Sequence, residues 1–162
     1  MASLILGIGS SSGDRLQHLQ EVRQELESVF NTPIEVSPIY EGEPMGPAQN
    51  WFLNAICRIE TEMDPEEILK KCKEVETEHG RDFDAPRWSD RPMDLDLIAY
   101  GKLRHNSPTL QIPHPDYANR LFVLYPMRDL CPDWVDPVND HSLQELIDRA
   151  PLMNIYKTSL AW

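Results

Sequence analysis

The order in which extended and helical apolar patterns alternate is the feature of this sequence that most limits its fold. Strand patterns are found in residues 4–8, 34–40, 52–62 and 93–100. Apolar residues spaced three and four apart follow the first and third of these runs, as expected for helices that bury one face. The resulting order, strand–helix–strand–strand–helix–strand, is the split βαβ arrangement of a ferredoxin-like α+β sandwich. We therefore predict a mainly antiparallel sheet with helices packed on one face, which leaves the other face to loops and ligands.

Capping signals mark the ends of the predicted helices. Asp14 and Asp64 stand where an N-cap carboxylate accepts a backbone N–H of the first turn. Gly80 is placed to end the second helix. Two further helices are predicted, one over about 119–130 and a short one over 142–149, and the rest of the C-terminal thirty residues shows no clear pattern.

Composition narrows the class of protein. The 162 residues fit a single domain over 1–162, and a net charge of −12 speaks against a broad nucleic-acid surface. The apolar run at the start is too short for a signal peptide, and no run approaches the ~18 apolar residues of a membrane span. Three widely spaced cysteines indicate reduced, mostly buried thiols. We expect a cytoplasmic monomer with small-molecule ligands and no nucleic-acid or membrane partner.

Two carboxylates carry the strongest chemical signal. Asp94 and Asp96 alternate with Leu95, Leu97 and Ala99 along a predicted strand, so the acids share one face and the apolar residues the other. Carboxylates one strand step apart lie within about 7 Å of each other, and Mg²⁺ prefers one or two carboxylates together with phosphate oxygens and water. The alternative is a solvated strand face with two harmless acids.

The segment before this strand adds positive charge. Arg81, Arg87 and Arg91 provide guanidinium groups that match phosphate oxygens, and Trp88 is unusual for a solvated loop, which suggests a lid. A metal on one side and guanidinium groups on the other are what a polyphosphate ligand needs. A charged surface loop is the alternative, supported by three aspartates in the same stretch, Asp82, Asp84 and Asp90.

Two other positions have polar groups suited to ligand recognition. Asn54 follows Trp51-Phe52-Leu53, and an amide beside aromatic rings can read the edge of a flat heterocycle. His114 is held between two prolines and can donate to phosphate. Each has a purely structural alternative, an exposed strand-end asparagine and a turn histidine.

Taken together, these residues resemble the 6-hydroxymethyl-7,8-dihydropterin pyrophosphokinase family of folate biosynthesis. Order and spacing agree from about residue 2 to about residue 131. The matching segments are residues 7–14, 44–47, 52–55, 80–81, 87–88, 91, 94–96, 113–115 and 120–124.

The resemblance implies the activity and the site residues. The family transfers the β,γ-pyrophosphoryl group of ATP to the hydroxymethyl group of the pterin and releases AMP. By resemblance, catalysis involves Arg81, Arg91, Asp94 and Asp96, and the two aspartates hold two Mg²⁺ ions. Pterin contacts are implied for Gly42, Pro44, Met45, Phe52, Asn54, Trp88 and Phe122. ATP contacts are implied for Glu76, Arg87, Arg91, Leu97, His114 and Arg120.

Three departures from the family pattern concern the loops. Ser11 stands where the family usually has Asn, Ser89-Asp90 replaces a usual Gly-Pro, and Phe83 occupies a position that is basic in some relatives. We therefore expect a lid that ATP alone closes poorly. Two other functions remain open: a divergent homologue that binds pterin or nucleotide without efficient turnover, and an RNA-binding module on the same sandwich, against which the acidic charge speaks.

Overall fold

A computed structural model describes residues 1–80, 84–85 and 89–162. Its first half contains β1 (Ala2–Ser10), α1 (Arg15–Phe30), β2 (Glu35–Val36), β3 (Tyr40–Gly42), β4 (Phe52–Thr61) and α2 (Pro65–Glu78). Its second half contains β5 (Asp94–Tyr100), β6 (His105–Asn106), β7 (Gln111–Ile112), a 3₁₀ turn (Tyr117–Asn119), α3 (Leu121–Leu130), α4 (Leu143–Arg149) and β8 (Ile155–Lys157). Within the described ranges, no helix combines the length and apolar character needed to cross a bilayer.

The main sheet has the strand order β5-β1-β4-β3-β8, and β2 pairs with β4 beside this path. All of its pairs are antiparallel. The central pair, β1 with β4, runs without a register shift from Ala2 opposite Thr61 to Ser10 opposite Leu53. The predicted α+β sandwich with a mainly antiparallel sheet is confirmed.

The single strand predicted over 34–40 is instead two short strands, β2 and β3. Pro38 lies between them and has no backbone N–H to donate to a ladder. Ser37 takes over this part of the pairing: its N–H donates to the Ile56 carbonyl, and its hydroxyl accepts the Ile56 N–H, both at 2.9 Å. Both halves therefore pair with β4 across an interruption.

Helices cover both faces of the sheet, so the prediction of one free face is wrong. The first core lies between the sheet and α1 with α2, and includes Leu6 and Leu19. A second core lies between the opposite face and α3 with α4, and includes Ile56 and Leu124. The physical reason is the character of α3, which buries Leu121, Val123, Leu124, Pro126 and Met127 and needs an apolar surface to pack on.

A β-bulge corrects the predicted faces of β5. Ile5 pairs with Ala99 whereas Leu6 pairs with Leu97, which leaves Ile98 as an extra residue on β5. Ile98 and Ala99 both pack in the second core, while Leu97 packs in the first. The alternation predicted that Ala99 and Leu97 share one face of β5, and this prediction is wrong. The bulge follows Asp96 in the chain, so it leaves the register of the acid pair unchanged.

Both predicted N-caps are confirmed. The Asp14 carboxylate accepts the Gln17 N–H at 3.1 Å, and the Asp64 carboxylate accepts the Glu66 N–H at 3.0 Å. The helix predicted from about residue 119 begins two residues later, at Leu121, after the 3₁₀ turn.

The C-terminal segment contributes an edge strand that the sequence did not predict. β8 pairs with β3, and the Trp162 ring packs against the first core while its Nε1–H donates to the Ser37 carbonyl at 2.8 Å.

The three cysteines, Cys57, Cys72 and Cys131, are free thiols, and all three are buried, as the sequence predicted. Burial raises the pKa of Cys131 to about 11 and that of Cys72 to about 12, so both thiols stay protonated at neutral pH.

Candidate active site

Three neighbouring strands align polar and small residues in one row. Gly9 on β1 lies opposite Asn54 on β4 and also opposite Asp94 on β5. A Cβ atom on Gly9 would lie 2.9 Å from the Asn54 Oδ1 atom, so a side chain there would displace the amide. The row therefore brings the predicted heterocycle-reading amide and the first predicted metal ligand together across one glycine.

A narrow cleft lies beside this row. Its lining residues come from β4, β5, α3, the loop after β3 and the C-terminal segment: Glu43, Met45, Phe52, Asn54, Asp94, Phe122 and Met153. Asn54 is 7% exposed, so its amide is held in a largely dry environment. The structure thus brings together four of the predicted pterin contacts with Asp94, and it adds Glu43 and Met153.

The strand β3, which leads directly into the cleft residue Glu43, is held by contacts with α3 and β8. The Tyr40 hydroxyl on β3 donates to the Asp129 carboxylate on α3, and Lys157 on β8 approaches the same carboxylate at 3.2 Å. Burial, and then Asp129, raise the pKa of Tyr40 above its ordinary value, so the phenol remains a donor. These contacts join β3, α3 and β8, and so hold Gly42 and Glu43 in place.

Each acid of the predicted pair faces an arginine. Arg91 Nη1 lies 3.6 Å from Asp94 Oδ1, and Arg120 Nη1 lies 3.7 Å from Asp96 Oδ2. The Asp94 and Asp96 side chains are 27% and 32% exposed. Both carboxylates are therefore accessible from solvent, and oxygen ligands with nearby positive charge form a donor set that fits a hard cation bound together with phosphate.

Arg91 is anchored to β1 through Ser11. The Arg91 N–H donates to the Ser11 hydroxyl at 3.0 Å, and the Ser11 N–H donates back to the Arg91 carbonyl at 2.9 Å. Ser11 is buried, so these bonds are shielded from water. The resemblance marked Ser11 only as a departure from the family pattern, and its contact with Arg91 was not predicted.

Arg120 joins the acid pair to the aromatic side of the cleft. Its guanidinium carbon lies 5.7 Å from the centre of the Phe122 ring, and its Nη2 lies 3.7 Å from Asp116 Oδ2. Arg120 lies in an extended conformation directly before α3 and is only 8% exposed. A buried, pre-positioned guanidinium of this kind suits recognition of a phosphate group.

The proton arrangement of His114 follows from its backbone contacts. His114 Nδ1 accepts the Asp116 N–H at 3.0 Å, which requires a lone pair on Nδ1 and places the proton of the neutral ring on Nε2. The His114 N–H donates to the Ile98 carbonyl at 2.9 Å and ties this turn to β5. The remaining Nε2–H is a donor, as the predicted phosphate contact needs.

Asp90 links the segment before β5 to the loop before β4. Its carboxylate accepts the N–H groups of Gln49 and Asn50, each at 3.1 Å for the shortest contact. The Asn50 side-chain amide donates in turn to the Ser11 carbonyl at 2.9 Å. The sequence indicated Asp90 only as part of a charged loop, because a contact between two loops leaves no periodic signal.

Other predicted residues lie away from the cleft lining. Leu97 is buried in the first core, and Glu76 is buried on α2. Gly42 ends β3, and Pro44 is half-buried in the following loop. Arg81, Arg87 and Trp88, on which the lid prediction depends, lie outside the described residues, as does Phe83.

An antiparallel α+β sandwich that places an aromatic cleft beside two strand carboxylates and their arginines has the features expected of an enzyme that acts on a phosphorylated nucleotide and a flat heterocycle. The family model of 7,8-dihydro-6-hydroxymethylpterin-pyrophosphokinase matches residues 5–132. The chain belongs to this family. This membership confirms the prediction that the chain is an ATP-dependent pyrophosphokinase of folate biosynthesis.

Similar proteins agree with this assignment. A 2-amino-4-hydroxy-6-hydroxymethyldihydropteridine pyrophosphokinase of Pseudomonas aeruginosa is 34% identical over 93% of this chain and 93% of its own length. The folic acid synthesis protein fol1 of Schizosaccharomyces pombe is 38% identical over 93% of this chain, which spans only 21% of that longer protein. A Plasmodium falciparum HPPK-DHPS crystal structure shares the fold, with a TM-score of 0.71 and 13% identity over 91% of this chain and 41% of that one.

Proposed function

We propose that this chain transfers the β,γ-pyrophosphoryl group of ATP to the hydroxymethyl oxygen of 6-hydroxymethyl-7,8-dihydropterin and releases AMP. The observation that carries the proposal is the row Asn54–Gly9–Asp94, in which a side-chain amide and a carboxylate lie on either side of one glycine. Family membership supports the same reaction. We further propose that residues 1–162 act as one domain, as a monomer, in the cytoplasm.

The pterin is proposed to bind in the cleft between Phe52 and Phe122. Aromatic rings stabilise a flat heterocycle by stacking, and the Asn54 amide offers both a donor and an acceptor to its polar edge. Met45 and Met153 complete an apolar lining that excludes water from the ring. Gly42, Pro44 and Trp88 remain proposed pterin contacts on the strength of the resemblance.

Asp94 and Asp96 are proposed to hold two Mg²⁺ ions against the triphosphate. Their partial exposure and their position on one face of β5 fit this donor role. When bound, the ions offset phosphate charge and polarise the reacting phosphorus. Arg91 and Arg120 lie near the same carboxylates and are proposed to turn toward phosphate oxygens as charge develops there. The proposed nucleotide contacts also include Arg81, Glu76, Arg87, Leu97 and His114.

The reaction itself requires positioning more than acid–base chemistry. The pterin hydroxymethyl oxygen forms a bond to the β-phosphorus, the bond from that phosphorus to the oxygen bridging it to the α-phosphate breaks, and AMP leaves with that oxygen. The hydroxyl proton passes to solvent. Phosphoryl transfer through a loose transition state depends mainly on alignment and charge stabilisation, which the anchored Arg91 and the buried Arg120 supply.

Product analysis distinguishes this function from its alternatives. With MgATP and the reduced pterin, we expect AMP to form in step with pyrophosphorylated pterin, measured by chromatography of the nucleotides. ADP in place of AMP, or AMP formed equally fast without pterin, would contradict the proposal. Tight binding of both ligands by calorimetry without any AMP would instead support the binding-protein alternative.

Asn54→Ala is expected to weaken pterin binding by about 10–100-fold, because the polar edge of the ring then loses a buried partner worth roughly 1–3 kcal/mol. The affinity for MgATP in the absence of pterin should stay near that of the parent chain. Titration calorimetry with each ligand alone measures both constants. Asn106→Ala, an exposed amide on β6, is the matched control. Equal losses for the two ligands would show that Asn54 supports the fold rather than recognises the pterin.

Asp90→Ala is expected to raise the KM for pterin by about threefold to tenfold, since the two N–H groups it accepts lose partners worth about 0.5–1.5 kcal/mol in all at this exposed position. The loop that carries Met45 precedes those N–H groups and should become less ordered. Asp90→Asn keeps one acceptor oxygen and should restore part of the effect. An unchanged pterin KM in Asp90→Ala, measured by steady-state kinetics, would show that this loop contact does not position the cleft.

A further inference from the structure

Two histidines from different helices meet at the junction of α1 and α2, away from the cleft. His18 Nδ1 lies 3.1 Å from His79 Nδ1, and the two rings are steeply inclined, at 74°. Glu21 Oε2 lies 3.8 Å from His79 Nδ1. One ligand atom from each of these three residues lies within 4.8 Å of the others. We propose that His18, Glu21 and His79 form a binding site for a transition-metal dication, with zinc as the ion that the donor set suits best.

The distances fit a metal with little movement. Zinc binds histidine nitrogen at about 2.0–2.1 Å, so two nitrogens in a tetrahedral site lie about 3.3 Å apart. The two Nδ1 atoms are already 3.1 Å apart. Glu21 Oε2, at 3.8 Å from His79 Nδ1, is within about 0.5 Å of the spacing that two ligand atoms of zinc need, and with water in the fourth position it completes the site.

The surrounding hydrogen bonds orient the ligands. His79 Nε2 lies 3.1 Å from both carboxylate oxygens of Glu25, so it carries the proton and leaves the Nδ1 lone pair facing His18. A carboxylate on the far nitrogen of a metal-binding histidine is the usual outer-shell arrangement. Gln17 donates to Glu21 Oε1 at 2.8 Å, which leaves Oε2 directed at the histidines.

Without a metal, one proton lies between the two Nδ1 atoms, donated by His18 to His79. A dication replaces that proton and is met by the negative charges of Glu21 and Glu25. The site links α1 near its start to the residue that follows α2, and therefore acts as a staple between these two helices. This site offers two histidine nitrogens, which suit zinc, whereas the proposed magnesium site offers only carboxylate oxygens.

Zinc binding to the full-length chain tests the proposal. The metal-free protein is titrated with Zn²⁺ against a chromophoric chelator, with Mg²⁺ in excess to occupy the carboxylates of β5. We expect one zinc ion per chain and a higher melting temperature in its presence. Glu25→Gln should weaken zinc binding by about 10–100-fold, and His18→Gln should abolish it.

His105→Gln is the matched control, because His105 also faces a glutamate, Glu66, at 3.3 Å but lies outside the cluster. It should bind zinc like the parent chain. Co²⁺ provides a second readout, since its visible absorption should appear in the parent and control chains and be absent from His18→Gln, whose folding is checked by circular dichroism. If folded His18→Gln and the parent chain bind zinc with the same affinity, or if the parent chain takes up none, the proposal is wrong.

Discussion

Asp94→Ala and Asp96→Ala are each expected to lower kcat by at least about a thousandfold. A bound metal contributes several kcal/mol of transition-state stabilisation, and each ~1.4 kcal/mol lost slows the reaction tenfold. Each substitution removes one of the two proposed metal ligands. Steady-state kinetics at saturating MgATP and pterin measure the loss, because the comparison of kcat values then reports on the bound complex.

Folding of both variants should survive. The two carboxylates are 27% and 32% exposed, and when either is lost Arg91 keeps its bond to the Ser89 carbonyl and Arg120 keeps its contact with Asp116, so neither guanidinium is left without a partner. Two neighbouring like charges also repel each other when no cation is bound. Asp133→Ala, an exposed acid outside the site, is the matched control and should keep full activity. Near-normal turnover of either variant at saturating Mg²⁺ would remove Asp94 and Asp96 from the catalytic site.

Arg120→Ala is expected to lower kcat/KM by about 100-fold. The side chain is 9% exposed and faces Asp96, Asp116 and the Phe122 ring. Its loss therefore removes a pre-positioned cation whose charge-assisted bonds are worth about 1.5–3 kcal/mol each. The KM for ATP should change more than the KM for pterin, although the contact of Arg120 with Phe122 couples the two sites. Kinetics with each substrate varied in turn separate these effects.

The conservative variant shows whether charge or shape matters at this position. Arg120→Lys keeps the positive charge but loses the planar fork, so its activity should fall between that of the parent chain and that of Arg120→Ala. Arg149→Ala, on α4 and exposed, should be unaffected. Equal activity of Arg120→Ala and the parent chain, with both correctly folded, would show that Arg120 only pairs with the neighbouring aspartates.

Sequence reasoning succeeded where the signal is local and periodic. Alternation along β5 placed Asp94 and Asp96 on one face, and the N-cap carboxylates of Asp14 and Asp64 marked two helix starts. These features depend on the residue and its immediate neighbours, so they can be read before any tertiary contact is known. The bulge at Ile98 depends instead on how β5 pairs with β1, and alternation alone could not show it.

Contacts between distant segments account for what the sequence did not predict. The sequence predicted the helix α3 but not the face of the sheet on which it packs, and β8 joins the edge of β3 without a pattern of its own. Met153 reaches the cleft only because β8 pairs in this register, and Ser11 reaches Arg91 only because two loops meet. The lid prediction for residues 81–91 stays a prediction, since most of its named residues lie outside the described ranges.

The fate of the β-phosphate is the most direct test of the central claim. The chain is supplied with Mg²⁺, the reduced pterin and ATP labelled on the β-phosphate, and the products are separated. Transfer of a pyrophosphoryl group predicts that all transferred label appears in the pterin product and that the nucleotide product is unlabelled AMP. Label retained in ADP, with a single phosphate on the pterin, would contradict the account.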